Sequence, residues 1–364
     1  MLARTIIHHT ALKKSGGATR VALLIQGGLE ESGYKTLHSY EASEKPLDPL
    51  ISPEEAAQKI PKNSIVHLHS SADPAKFISA LPATVSLIVT LHDSQMITGG
   101  CSYPLDCSHF EKKCLNPCPR GFADSEKVRK TSIETLLKHE AVLISPSKWL
   151  ANQAKIADPR LAVKIIPNGI PWPDSVESKK NAREKLKIPL AAKIVLFIAH
   201  GGFNAAYKSG SQWAAYWEGI KKKIPDAIGF AIGGSESSRE GDFISIPYVD
   251  RDTLGDFMTA ANVLAYPTLA DNHPLIILEA MSKGLPPVSY AVGGVVEQIV
   301  NGTNGILVTP YNKNKFVETT SALLLAPRVS KELGISGFQT GAKRFSHIRM
   351  LKDYKKVYNL LDLN

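Results

Sequence analysis

The stretch Tyr266-Pro-Thr-Leu-Ala-Asp-Asn-His-Pro-Leu-Ile-Ile-Leu-Glu-Ala-Met-Ser-Lys-Gly-Leu-Pro286 holds a strand end, a polar loop and a helix within 21 residues. The apolar run Val263-Leu-Ala-Tyr266 has strand length, and Pro267 stops it. A second apolar run starts at Leu275 and is closed by Gly284, which predicts a short helix. Pro274 suits the first helical position, where a missing N–H leaves nothing unpaired. Free amides at a helix start, with the helix dipole behind them, suit a diphosphate. The residues expected to bind the diphosphate-bearing ligand at this helix start are Asn272, His273, Pro274, Leu275 and Ile276. Asp271 stands in the loop and Glu279 a turn inside the helix, so one carboxylate can reach a sugar while the other meets ribose hydroxyls.

Working outward, strand-length apolar runs alternate with helix-compatible stretches. Thr5-Ile-Ile-His8, Ile65-Val-His-Leu68, Leu87-Ile-Val-Thr-Leu91 and Val142-Leu-Ile144 form one set. Ile194-Val-Leu-Phe-Ile198, Ala227-Ile-Gly-Phe-Ala-Ile232, Val263-Leu-Ala-Tyr266 and Pro287-Val-Ser-Tyr290 form another. This alternation predicts βαβ units and parallel sheets, and a chain of 364 residues suits two α/β domains better than one very wide sheet. Between the sets, Ile166-Pro-Asn-Gly-Ile-Pro-Trp-Pro173 can continue neither a helix nor a central strand, and it marks the domain boundary: 1–168 before it, 169–345 after. From His347 to Leu361, the residues Ile348, Leu351, Tyr354, Val357, Tyr358 and Leu361 recur at helical spacing. They predict an amphipathic C-terminal helix over 346–364; the periodicity does not say which domain it covers, and the expectation is that it packs back on the first.

Composition excludes several classes. Hydrophobic residues at 43% and charged residues at 21% describe an ordered globular chain. The formal charge of +9 is spread out, so it suits phosphorylated ligands or contact with an anionic membrane face, and no nucleic-acid module accompanies it. No apolar run approaches the roughly 20 residues of a membrane span. Met1 to Thr10 carries Arg4, His8 and His9 where a signal peptide needs an apolar core, so the expectation is a cytoplasmic protein, peripheral at the inner membrane face.

The stretch 266–286 resembles the retaining glycosyltransferases of family four, and the resemblance covers nearly the whole chain. The family's Glu-x7-Glu motif maps onto Asp271 and Glu279, and its Gly-Gly-x-x-Glu segment onto Val292-Gly-Gly-Val-Val-Glu297, followed by Asn301-Gly-Thr-Asn-Gly-Ile306. The first acid is Asp where the family has Glu, shorter by a methylene. In Phe197-Ile-Ala-His-Gly-Gly-Phe-Asn-Ala-Ala-Tyr-Lys-Ser-Gly210, Lys208 fits the family's diphosphate-gripping lysine, but the usual arginine before it is missing. Gly201 and Gly202 would let backbone amides approach the phosphates.

Nearer the N-terminus, Ser15-Gly-Gly-Ala-Thr-Arg20 resembles the family's glycine loop, which assigns Gly16 and Gly17 to the donor phosphates and acceptor. A tight β-to-α turn explains the same glycines. Two strands end in histidine, at Ile65-Val-His-Leu-His69 and Val89-Thr-Leu-His-Asp93, and carboxyl ends of parallel strands face ligands. Thr90-Leu-His-Asp-Ser-Gln-Met-Ile-Thr-Gly-Gly-Cys101 resembles a subgroup with a cysteine-rich loop whose strand-end histidine, here His92, lies beside the transferred sugar. Cys101, Cys107, Cys114 and Cys118 fill the loop that follows. Four thiolates suit a tetrahedral structural zinc, two disulfides or free thiols being the alternatives.

The resemblance implies the GT-B architecture, two Rossmann-like domains with parallel sheets facing across a deep cleft. It implies transfer of a hexose-type sugar, with retention, from a nucleotide-sugar donor to a hydroxyl of a glycan or lipid-linked acceptor. His92 and Asp271 would act on the sugar, and no cofactor would serve catalysis. Asp250-Arg-Asp252 has the spacing of a metal-binding acid pair, but it precedes a helical stretch and reads as capping acids. A non-hydrolysing nucleotide-sugar epimerase and a noncatalytic sugar-nucleotide binder are the competing readings.

Overall fold

The computed structural model describes residues 4–45 and 47–362. Residues 1–3 of the opening stretch and 363–364 of the expected C-terminal helix lie outside the described residues. The chain divides into two compact units, Met1–Gly169 with His347–Asn364, and Ile170–Ser346.

In the first unit the strands are β1 (Ile6–Leu12), β2 (Thr36–Ala42), β3 (Ile65–Leu68), β4 (Ser86–Thr90), β5 (Val142–Ser145) and β6 (Val163–Ile165). They form one all-parallel sheet in the order β2-β1-β3-β4-β5-β6. Side chains alternate across a strand, and the two faces differ in kind. Ile7, Val66, Leu68, Leu87 and Val89 build an apolar core on one face. The opposite face carries His8, Thr10, His67 and Thr90, all buried. The C-terminal helix His347–Asp362 packs on the helix Gly17–Glu30 and on β3, covering that polar face with Tyr354 and Tyr358. A Cβ at Gly28 would lie 2.6 Å from Leu351 Cδ2, so the leucine side chain occupies the space the glycine leaves between the two helices.

The second unit holds β7 (Lys193–Ile198), β8 (Ala227–Gly234), β9 (Ser238–Glu240), β10 (Phe243–Pro247), β11 (Val263–Tyr266), β12 (Pro287–Tyr290) and β13 (Ile306–Val308). Their order is β13-β12-β11-β7-β8-β10-β9, parallel except for the β9–β10 pair. Here both faces are apolar, with Val195, Phe197, Ala265 and Val288 on one side and Ile194, Leu196, Leu264 and Tyr266 on the other. Central parallel strands covered on both faces read as continuous apolar runs, and these are the strands whose limits the sequence shows best.

Each sheet has a point where the chain order reverses. It lies between β1 and β3 in the first unit and between β7 and β11 in the second. Loops leaving two neighbouring strands in opposite directions open a crevice at their carboxyl ends, where ligands of such sheets bind.

Several sequence expectations change. β1 runs to Leu12, past the predicted end at His8, because His8, His9 and Thr10 find partners inside the fold. Pro274 is the residue before the helix, with φ −61° and ψ 126°, and the helix starts at Leu275. The helical stretch after Asp250 begins at Arg251, inside the acid pair, and Asp250 caps it by accepting Thr253 N at 2.8 Å. On the C-terminal helix the buried face is Met350, Tyr354, Val357 and Tyr358, while Ile348 is 71% exposed.

Candidate functional site

In the second unit, two loops meet at the β7/β11 reversal. The loop after β7 carries Gly201, Gly202 and Lys208, and the loop after β11 carries Asp271 to Pro274. They are laced together: Leu269 N donates to Tyr207 O at 2.7 Å and Ser209 Oγ to Pro267 O at 2.7 Å. Lys208 is thereby delivered to Asp271, and the two side chains form an ion pair. Tyr266 OH donates to the same Asp271 oxygen at 2.7 Å, and Asn272 N donates to the other at 2.9 Å. Asp271 is 8% exposed, so a charged carboxylate here depends on these donors.

The backbone of Asp271 is held from a second side. Its carbonyl accepts Gly294 N at 3.0 Å, and Gly293, with φ +52°, packs so closely that a Cβ would stand 2.1 Å from that oxygen. The Gly-Gly pair after β12 therefore fixes the height of the acid loop. Gly202 does comparable work after β7. Its Cβ would lie 2.7 Å from Gly234 Cα, so this glycine is required by the packing of two turns on each other. Gly201 has φ +90°.

Of the other predicted donor residues, Asn272 and His273 are buried. The Gln298 amide lies 3.0 Å from His273 Nδ1 and donates to Pro274 O at 3.1 Å, and the His273 ring stands edge-on to Phe345. These residues anchor the loop. Leu275 and Ile276 are half-buried, and their N–H groups belong to the first helical turn, which has no intrahelical acceptor. Glu279 lies one turn on, where its Oε1 accepts Arg251 Nη1 at 2.9 Å. Tyr266 and Arg251 were not singled out from the sequence. Tyr266 closes a strand five residues before Asp271, but only the fold brings Arg251 to Glu279.

In the first unit, Gly16 has φ +95° and immediately precedes the helix Gly17–Glu30, and a Cβ at Gly16 or Gly17 would meet nothing within 4 Å. Open space at both glycines fits a surface that something else approaches. His92 follows β4 by two residues, and burial lowers its pKa to about 4, so the ring is neutral near pH 7. Its Nε2 lies 3.2 Å from His69 Nδ1, and His69 Nε2 lies 3.1 Å from His8 Nδ1. His67 bridges Tyr358 OH at 2.6 Å and Thr90 Oγ1 at 2.7 Å.

The four cysteines are free thiols and line one pocket with Phe110, Arg120 and Phe122. Burial raises the pKa of Cys101 and Cys114, whereas hydrogen bonding from the Arg120 backbone lowers that of Cys118. Among the described residues, the ligand atoms of three or more His, Cys, Asp or Glu gather within 4.8 Å only at His8, His67 and His69. Cys101, Cys107, Cys114 and Cys118 line the same pocket without three of their sulfurs gathering within that distance.

With this geometry in place, residues 238–339 match the family model of glycosyl transferases group 1. The match runs from β9 into the helix Pro327–Phe345, and the fold is GT-B. A trehalose synthase of Pyrococcus horikoshii is 35% identical over 105 residues, which is 29% of this chain and 25% of that protein. The match thus spans about a quarter of that relative's length. Sucrose-phosphate synthase of Thermosynechococcus elongatus shares the fold with a TM-score of 0.74 at 16% identity, over 98% of this chain and 99% of that one. HepE of Anabaena, solved with UDP-glucose, aligns with a TM-score of 0.68 at 14% identity over 98% and 99% of the two chains. Among the described residues, no helix is long and apolar enough to cross a membrane.

Proposed function

We propose that this chain transfers a hexose-type sugar, with retention of configuration, from a nucleotide-sugar donor to a hydroxyl of a glycan or lipid-linked acceptor. Cell-surface polysaccharide or glycoconjugate synthesis at the cytoplasmic face of an anionic membrane is the setting that suits the +9 charge. The observation that carries the reading is the pairing of Lys208 with Asp271 at the β7/β11 reversal, beside the amide-bearing start of the helix Leu275–Ser282.

The pair is a self-neutralised form of the donor site. An incoming diphosphate offers Lys208 a stronger partner, and the ammonium moves from the carboxylate to the phosphate oxygens. The amides of Leu275 and Ile276 meet the same group, so charge developing on the leaving diphosphate is stabilised by dipoles already in place. Asp271, still held by Tyr266 OH and Asn272 N, turns its freed capacity to the hydroxyls of the sugar. Glu279 takes the ribose, with Arg251 fixing its carboxylate. His92 is assigned to the sugar as a neutral hydrogen-bonding group, and the Thr98-Gly-Gly-Cys101 loop after it supports reading the chain as one of the cysteine-loop subgroup. The UDP-glucose held by HepE supports a nucleotide-sugar donor for a fold of this kind. The reading assigns no cofactor to catalysis.

The test is a nucleotide-sugar panel incubated with the protein, with and without hydroxyl acceptors. Release of nucleoside diphosphate with one donor, faster with acceptor, and a product of the donor's anomeric configuration are expected. Donor conversion to an isomer without acceptor would replace the reading with an epimerase, and tight binding without turnover would replace it with a noncatalytic binder.

A further inference from the structure

Three imidazoles of the first unit are hydrogen-bonded in series. His8 Nδ1 lies 3.1 Å from His69 Nε2, and His69 Nδ1 lies 3.2 Å from His92 Nε2. A neutral imidazole carries one N–H and one lone pair, so such a row runs in one of two polarities. Either every ring is protonated on Nδ1 or every ring is protonated on Nε2.

The inner end decides between them. His8 is fully buried, and its Nε2 has no partner among the described residues. With the protons on Nε2, the row would end in a buried N–H that nothing accepts. With the protons on Nδ1, it ends in a lone pair, and buried donors without partners are the rarer defect in folded proteins. The geometry points to the Nδ1–H polarity: we propose that His8 and His69 are positioning residues that hold His92 as the Nδ1–H tautomer, with its Nε2 lone pair turned to His69. The tautomer belongs to the ligand-free protein. Only its use on a sugar hydroxyl rests on the proposed transfer reaction.

The same cluster invites a metal reading, since His8, His67 and His69 bring ligand atoms within 4.8 Å. The ring arrangement opposes it. His67 and His69 lie nearly face to face, with centroids 3.9 Å apart and planes at 36°. In-plane lone pairs of rings so placed do not converge on one ion at the ~2.0–2.1 Å of a Zn–N bond. Both His67 nitrogens also already face hydroxyls, at 2.6 and 2.7 Å. An ion here would add two buried positive charges with no carboxylate in the group to offset them.

Long-range 1H–15N correlation spectra of protein labelled on histidine nitrogen, recorded without donor at pH 7, test the proposal. His92 is expected to show a protonated Nδ1 and a bare Nε2. In His8→Leu the end donor is gone, and both His92 nitrogens should move to averaged shifts as the two polarities mix. In His8→Asn the side-chain amide stands where Nδ1 stood, and the wild-type pattern should return. A His92 proton on Nε2 in the wild type overturns the proposal, and that spectrum decides even if His8→Leu fails to fold. So does an unchanged His92 pattern in His8→Leu, or a rise in Tm with one equivalent of Zn2+ that shifts the His8, His67 and His69 signals together. Turnover with a donor is a separate measurement, and its loss or absence leaves the tautomer result standing.

Discussion

At the scale of single residues, the spacing of Asp271 and Glu279 was legible in the sequence because a loop acid and a helix acid eight positions apart need no tertiary information. Their partners were not legible. Lys208 was expected to grip a diphosphate, and its ammonium is paired with Asp271, with the side chain 22% exposed. Lys208→Ala therefore strips the counter-charge from a buried carboxylate and should lower stability by about 1–3 kcal/mol, as well as turnover. In an Asp271→Asn background the same change should cost much less, and a double-mutant cycle in urea measures the difference. Equal losses in both backgrounds would mean that the pair contributes nothing. Asp271→Asn alone removes the charge and keeps size. With charge-assisted bonds contributing about 1.5–3 kcal/mol, kcat should fall roughly 10- to 100-fold with a smaller change in KM. Glu279→Ala should chiefly raise the donor KM, because a ribose contact is made equally in ground and transition states. Wild-type kcat in Asp271→Asn would remove the acid from the reaction.

At the scale of elements, the central strands β11 and β12 coincide with their apolar runs, whereas β2, β10 and β13 escaped notice. β2 reads Thr-Leu-His-Ser-Tyr-Glu-Ala, a pattern that stays polar because its acid is satisfied inside the fold. Glu41 pairs with His9 at 3.2 Å and accepts Ala72 N at 2.8 Å. Such pairings cannot be seen along the chain, and for the same reason the polar face over β1, β3 and β4 read only as scattered histidines. The glycine pairs were visible, but their purpose differs between sites. Gly16 and Gly17 leave open space, while Gly202 and Gly293 are filled to contact by neighbouring backbone. Gly293→Ala places a methyl against the Asp271 carbonyl in a left-handed conformation, so the acid loop must move. Gly302→Ala is the matched control, with φ +75° and no atom within 4 Å of its Cβ. The control should lose only about 1–2 kcal/mol from backbone strain and keep the donor KM. Gly293→Ala should lose more and also raise the donor KM. Equal effects of the two on stability and KM would show that the turn after β12 does not set the acid loop.

At the scale of the whole molecule, the histidines with lowered pKa values are His8, His9, His38, His67, His69, His92 and His139, and all lie in the first unit. For His8, His67 and His69 the leading cause is burial, and none is more than 4% exposed. Around them stand His92, whose pKa is about 4, and the phenols of Tyr354 and Tyr358, which burial raises, that of Tyr354 to about 12. No group in this cluster favours an imidazolium. Below pH 6.5 the unfolded chain takes up protons at these rings and the folded chain does not, so stability falls with acidification. The loss for each such ring is about 1.4 kcal/mol per pH unit, continuing until the folded pKa is reached, which for His8 is about 3. Between pH 6.5 and 5.5 the carboxylates stay ionised, so the histidine effect can be read alone in that window. Amide exchange should then show β1 and β3 losing protection as pH falls from 6.5 to 5.5, after correction for the intrinsic rate, while β7 and β8 change far less. His67→Gln keeps a group able to hydrogen-bond Tyr358 and Thr90 but cannot be protonated, so it should flatten the pH slope of the first unit by about one proton. Parallel loss of protection in both units, or an unchanged slope in His67→Gln, would place the acid sensitivity elsewhere than under the C-terminal helix.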